Sequence, residues 1–259
     1  VPKPRYTALQ LRDANTKLTQ LSVQKDAFLS QISHELRTPM SSIRAFSEIL
    51  RGVEVLSPQE QVRYASIIQE ETIRLTRLLD DLLDLSVLEN RQVSLNVSTG
   101  SLRDLLDHSV AMARVGRDAA VMQIQRNIAD ERIWLCTDLD RLNQVFLNLI
   151  VNAHKYCDAA EPKLQITVRQ SAQQLTIDFI DNGSGISKED QNLIFEKFSR
   201  IGGHESGGAG LGLAISREIL QRLQGDITYL PGQNGAAFRI RLPESVVGGV
   251  ARTDLSSTD

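Results

Sequence analysis

The chain has 259 residues, 41% of them apolar and 24% charged, which excludes a mainly disordered chain, a collagen and a disulfide scaffold. At roughly 150 residues per domain this length fits two modest domains or one large one. The 29 Lys and Arg nearly balance 32 Asp and Glu, leaving a net charge of -3 without the basic excess of a nucleic-acid binder, and no apolar run approaches the roughly 20 residues of a membrane span.

The first ninety residues carry a helical pattern. Leu11, Ala14, Leu18, Leu21, Phe28 and Ile32 fall on alternating steps of three and four, with Lys25 in the one polar slot. A seam this narrow calls for a partner helix, most simply from a second copy of the chain, so a homodimer is expected. Pro39 falls inside the pattern, where a missing backbone donor predicts a kinked or loosened helix. The pattern resumes at Ile43, Phe46, Ile49 and Leu50 and stops at Gly52. Ser57, Pro58 and Glu60 read as a capping box opening a second helix that carries Leu75, Leu78, Leu79, Leu82, Leu83, Leu85 and Leu88. Two such helices per chain predict a four-helix bundle in the dimer.

After Asn90 the pattern turns to alternation. Strands are predicted at 93–97, 121–128, 133–136, 164–168, 175–180, 227–230 and 237–242, and helices at 102–113, 138–156 and 211–223. This makes an α/β sandwich of about 150 residues. Trp134 is expected in the core, and Cys136 and Cys157 are expected as reduced thiols in or near it. The Gly- and Ser-rich tail from Pro243 is expected to be loose. The change of pattern around Asn90–Val93 marks the expected hinge between two domains. Val at position 1 points to a fragment, with any sensor or membrane region upstream; the expected location of this part is cytoplasmic, without membrane contact.

Three strings carry chemistry. In Phe28–Pro39, His34 lies two positions past the seam residue Ile32 and should face outward, where one ring nitrogen can act as a nucleophile. Glu35 beside it can fix the tautomer, and Thr38 lies one turn on. In Asn148–Tyr156, the amides of Asn148 and Asn152 share a helix face with Lys155; amide oxygens suit a hard Mg²⁺ and an ammonium suits phosphate. The third string is split: Asp181-Asn182-Gly183-Ser184-Gly185 follows a strand, and Gly207-Gly208-Ala209-Gly210-Leu211-Gly212 precedes a helix. Its glycines permit close backbone approach and leave amides at a helix start for phosphate. No Gly-Lys-Ser/Thr follows, so it is not a Walker loop, and Leu213 stands where a dinucleotide fingerprint needs a third small residue.

In this order and spacing the strings resemble the sensor histidine kinase family of two-component systems, over roughly residues 20 to 243. More distantly the second half resembles the ATPases of the gyrase and Hsp90 group. The resemblance implies an all-α dimerisation hairpin followed by an α/β sandwich of the Bergerat type. It divides the chain into a signal-transmitting coiled-coil helix (1–24), a dimerisation and phosphotransfer domain (25–91), an ATP-binding domain (92–243) and a flexible tail (244–259). ATP and Mg²⁺ are the implied cofactors, and a response regulator's receiver domain is the implied partner.

The resemblance also implies roles. His34 is similar to the histidine that attacks the ATP γ-phosphate, Glu35 to its acidic helper, and Thr38 to the residue that places water for dephosphorylating the regulator. Asn152 is similar to the principal Mg²⁺ ligand, with Asn148 beside it; Lys155 would reach phosphate and Tyr156 would stack near adenine. Asp181 would accept the adenine amino group, with Gly183 and Gly185 making room. Residues 186–209 would form a lid carrying Arg200 as a cation, and Gly208, Gly210, Leu211 and Gly212 would cradle phosphate. Ala209 departs from the hydroxyl-bearing residue of many relatives. A scaffold that binds without chemistry and a gyrase-type ATP-driven clamp stay open as rivals; neither fits an acceptor histidine on its own helix.

Overall fold

The computed structural model describes residues 4–52, 56–89, 94–114, 122–128, 130, 132–199 and 209–248, without the side chains of 4–9, 21 and 24. The chain divides into two compact units, and their boundary falls between Asp80 and Asp81, inside a helix. The change of pattern at Asn90–Val93, where the sequence places a hinge, lies outside the described residues, and the last nine residues of that helix already belong to the second unit.

The first unit is built on helix α1 (Pro4–Arg51) and most of helix α2 (Pro58–Glu89). Helix α1 runs through Pro39. The capping box forms as read: the Ser57 amide donates to Glu60 Oε2 at 2.8 Å and the Glu60 amide donates to Ser57 Oγ at 3.3 Å. The Ser57 hydroxyl also donates to Glu60 Oε2, and these bonds hold the Glu60 carboxyl below its usual range. Phe46 stacks on Tyr64 at 5.4 Å, pairing residues about equally far before and after the turn, as a hairpin requires. Leu11 is 75% exposed and Leu18 66%. No described helix is long and apolar enough to cross a membrane.

Among its described residues the second unit has two sheets and, beyond the end of α2, three α-helices. Strand β1 (Ser98–Ser101) pairs antiparallel with β3 (Trp134–Thr137), which pairs antiparallel with β8 (Val247–Gly248). The larger sheet runs β2 (Gln123–Ile128), β4 (Lys163–Gln170), β5 (Gln174–Asp181), β7 (Ala237–Pro243), β6 (Asp226–Tyr229); β2 and β4 are parallel and the other pairs antiparallel. Helices α3 (Leu102–Arg114), α4 (Leu139–Tyr156) and α5 (Gly212–Arg222) pack side by side, α4 in the middle. Leu142, Val145, Phe146, Leu149 and Ile150 of α4 are buried, as are Ile166, Ile177, Phe179 and Ile240 of the sheet. The Phe146 and Phe179 rings meet at 5.6 Å. At about 2 kcal/mol for each fully buried large apolar side chain, this layer supplies the unit's cohesion.

Three expectations are corrected. The first strand is Ser98–Ser101 rather than 93–97: residues 94–97 are irregular, and the Asn96 amide instead donates to Asp138, the N-cap of α4. Small residues suit β1, because a Cβ on Gly100 would stand 2.6 Å from Leu139 Cδ1. Trp134 is 41% exposed and Cys136 is exposed, since β3 alternates and Leu135 and Thr137 take its inner face. Both cysteines are free. The chain after Pro243 continues through a 3-10 turn (Glu244–Val246) into β8, with Val246 buried.

Candidate functional site

Two sets of groups stand on separate units. On α1 the His34 side chain is 77% exposed, as the step from Ile32 predicts. Its Nδ1 faces the carboxylate of the largely buried Glu35 at 4.0 Å, which leaves Nε2 as the outward nitrogen. Thr38, one turn on, donates its hydroxyl to the His34 carbonyl at 3.3 Å.

In the second unit the strings at α4, at the end of β5 and at the start of α5 come together. Asp138 caps α4 by accepting from the Arg141 amide. Asn148 and Asn152 are half-buried on α4. The Asn148 amide nitrogen donates to Ser216 of α5 at 3.0 Å, and a Cβ on Gly212 would lie 2.3 Å from Asn148 Oδ1. Glycine at 212 is therefore what lets the start of α5 lie against α4, a reason separate from phosphate binding. Lys155 does not project along the asparagine face: its ammonium donates to Tyr156 Oη at 2.8 Å and lies 4.6 Å from that ring's centroid. Tyr156 is exposed at the end of the helix.

Asp181 closes β5 and is buried. Its Oδ1 accepts from the Gly183 amide and from the Ala236 amide, both at 2.9 Å. Burial pushes its carboxyl above the usual range, against the downward pull of those two amides. Gly185 has φ of +79° and Gly210 φ of +72°. A Cβ on Gly210 would stand 2.7 Å from the Ser199 carbonyl oxygen, so that glycine is required by the close pass of the chain at Phe198–Ser199. Leu211 is buried at the start of α5. The described part of the expected lid, 186–199, is packed: Ile194, Phe195 and Phe198 are buried, Phe195 meets Phe238 edge-on at 6.3 Å and Arg217 lies over its ring. Arg200 and Gly208 lie outside the described residues.

These groups fit a magnesium nucleotide. A buried carboxylate whose second oxygen is not the one taken up by the two amides suits an exocyclic amino group, and Asn152 offers a neutral oxygen to a hard cation that is held mainly by phosphates and water. Among the described residues no group of three or more His, Cys, Asp and Glu could hold a metal ion. Sequence reading missed Ser216 of α5, Asp158, whose Oδ1 accepts from the Ser184 amide, and Tyr229, whose hydroxyl oxygen accepts from the Ile186 amide; each contact joins distant segments and leaves no local signal.

Residues 24–91 match the His Kinase A (phospho-acceptor) domain, and residues 137–246 match the histidine kinase-, DNA gyrase B- and HSP90-like ATPase domain. The chain is 33% identical over 250 residues to the sensor protein kinase WalK of Staphylococcus haemolyticus, covering 90% of this chain and 39% of that protein. It thus spans less than half the length of that relative. Among solved structures it resembles the Acinetobacter baumannii histidine kinase AdeS with a TM-score of 0.65 at 27% identity, covering 81% of this chain and 97% of that one. The fold also matches histidine kinase ThkA, solved in complex with the response regulator protein TrrA, with a TM-score of 0.71 at 21% identity over 90% of this chain and 66% of that one. With an exposed histidine on a phospho-acceptor helix and an ATPase sandwich after it, the chain belongs to the sensor histidine kinase family.

Proposed function

We propose that this chain is the catalytic core of a dimeric sensor histidine kinase that phosphorylates His34 from Mg²⁺-ATP and passes the phosphoryl group to an aspartate of a response regulator. The observation that carries the reading is the His34 ring, solvent-facing at Nε2 with its Nδ1 toward Glu35. In the first step the Nε2 lone pair bonds to the γ-phosphorus while the bond to the β-phosphate bridge oxygen breaks, and ADP leaves with that electron pair. Glu35 holds the Nδ1 proton on the far side of the ring and stabilises the charge that develops there. In the second step the phosphoryl group moves from Nε2 to the regulator's carboxylate, and the imidazole is restored. Thr38 places water when the phosphoryl group is removed from the regulator.

In the nucleotide unit Asp181 accepts the adenine amino group, Gly183 and Gly185 leave room for the base, and Tyr156 stacks near it. Asn152, with Asn148 beside it, would hold Mg²⁺, whose charge would neutralise the phosphates. Lys155 turns from Tyr156 to phosphate, Gly208, Gly210, Leu211 and Gly212 present the chain that cradles it, and Arg200 supplies a further cation. Residues 1–24 pass the signal, 25–91 dimerise and carry the acceptor, and 92–243 bind ATP, in the cytoplasm. The exposed Leu11 and Leu18 support the dimer seam.

Incubation with γ-labelled ATP and Mg²⁺ tests the reading. The expected label survives base, is lost in acid and disappears in His34→Gln. Label that persists in that variant, or no label from a protein that binds ATP, rejects the assignment.

A further inference from the structure

The loop from Asp181 to Ile186 carries the base-binding groups, so any role given to its anchors rests on the proposed ATP binding. Four of its backbone amides have identifiable acceptors. Asp181 N donates to the Ala236 carbonyl at 3.0 Å, and Gly183 N to Asp181 Oδ1 at 2.9 Å. Ser184 N donates to Asp158 Oδ1 at 2.7 Å, and Ile186 N to Tyr229 Oη at 3.2 Å. The last two acceptors are side chains from outside the loop, one 26 residues before Ser184 and the other 43 after Ile186.

They hold it from opposite sides. Asp158 lies just past the end of α4, the helix that carries Asn152. From the same side Asn182 Oδ1 accepts from the Lys163 amide at 2.7 Å, and its amide nitrogen donates to the Glu161 carbonyl at 2.9 Å. Tyr229 ends β6, with its ring edge-on to Phe238 at 5.7 Å. Beside it a Cβ on Gly185 would stand 3.2 Å from the Gly235 carbonyl, and one on Gly235 would stand 2.0 Å from the Asp181 carbonyl. Between the two anchored amides sits Gly185, with a positive φ. A segment with glycines at 183 and 185 has wide conformational freedom unless something outside it fixes the amides.

We propose that Asp158 and Tyr229 are positioning residues for the nucleotide base: each pins one amide of the Asp181–Ile186 loop, and together they set where the Asp181 carboxylate stands before the base arrives. Neither touches the base. Asp158 joins the loop to the metal-binding helix, and Tyr229 joins it to the sheet edge at β6. Their effect is preorganisation, which tightens binding by removing the need to order the loop on contact.

The test uses the full chain and trinitrophenyl-ATP with Mg²⁺, displaced in competition by ATP and by GTP. Asp158→Ala and Tyr229→Phe each weaken ATP about fivefold, the effect of one hydrogen bond, and narrow the preference for ATP over GTP. Asp158→Asn keeps an oxygen acceptor and recovers affinity to within about twofold of the parent. The ligand-free melting midpoint moves by less than about 2 °C in all three. Unchanged affinity and preference in Asp158→Ala and Tyr229→Phe overturn the proposal while leaving ATP binding intact. A loss that Asn does not restore, or that follows the melting midpoint with the ATP preference kept, also overturns it. A parent chain that binds no adenine nucleotide overturns the ATP reading itself and this inference with it.

Discussion

The two units solve the problem of apolar surface in different ways. In the ATPase unit Leu106, Leu135, Leu142, Phe146, Ile150 and Ile177 are sealed between helices and sheet within one chain. In the first unit Leu11, Leu18, Val23, Met40 and Val62 face solvent, and Leu78 is the one large aliphatic buried among its described residues. The sandwich can therefore hold itself together, whereas the hairpin leaves large apolar side chains in water that a second helix surface would cover in the proposed dimer. The chemistry divides along the same line: the nucleotide pocket needs a fixed shape, and the acceptor histidine needs exposure.

The strongest way to break this contrast is to charge the seam. Leu11→Asp with Leu18→Asp should convert a dimer to a monomer in sedimentation experiments, because paired carboxylates in an apolar seam cost several kcal/mol. Mg²⁺-ATP affinity of the same variant should stay at the parental value, and a dimer that survives both changes disproves the seam. Next, Phe146→Ala should destabilise the sandwich by about 3–5 kcal/mol in urea titrations, while Val62→Ala should stay within about 0.5 kcal/mol. Equal losses at the two positions would erase the distinction between a self-contained core and an open one. Gly212→Ala forces a methyl group against Asn148 Oδ1 and should cost about 1–3 kcal/mol, together with most of the nucleotide affinity, read by calorimetry.

The smallest effect concerns pH. Burial raises the Asp181 carboxyl in the fold, so this group's contribution to ligand-free stability is full below its unfolded-state value and is lost as pH rises through the folded one. In the proposed base binding the dependence runs the other way, since the ionised carboxylate is the stronger acceptor for an amino group. The melting shift produced by Mg²⁺-ATP should therefore shrink on acidification, starting above the ordinary aspartate range, and Asp181→Asn should flatten that part of the profile. Asp158 moves oppositely: the Ser184 amide lowers its carboxyl, and the stability it adds is lost only as pH falls through that lowered value.

Periodic features were legible in the residues. The capping box at Ser57–Glu60, the outward step to His34 and the α4 face with Asn148 and Asn152 all follow from local spacing. Features set by distant pairing were not. Strand β1 holds only Ser, Thr and Gly, and its place comes from its ladder with β3 rather than from alternation. Trp134 looked like core because its type usually is, yet its strand parity turns it outward. Asp158 and Tyr229 meet the base loop across 26 and 43 residues, a distance no pattern along the chain reveals. The side chain of Lys155 was placed on the right helix turn but not against Tyr156, because rotamer choice depends on a neighbour's ring.

Pro39 gives α1 an uneven stiffness. A proline four residues after Glu35 cannot offer the amide that closes that turn onto the Glu35 carbonyl, yet the rod continues through it. The helix is thus missing a rung beside its reactive ring. A bend in α1 is therefore least costly at this notch, about one turn past His34.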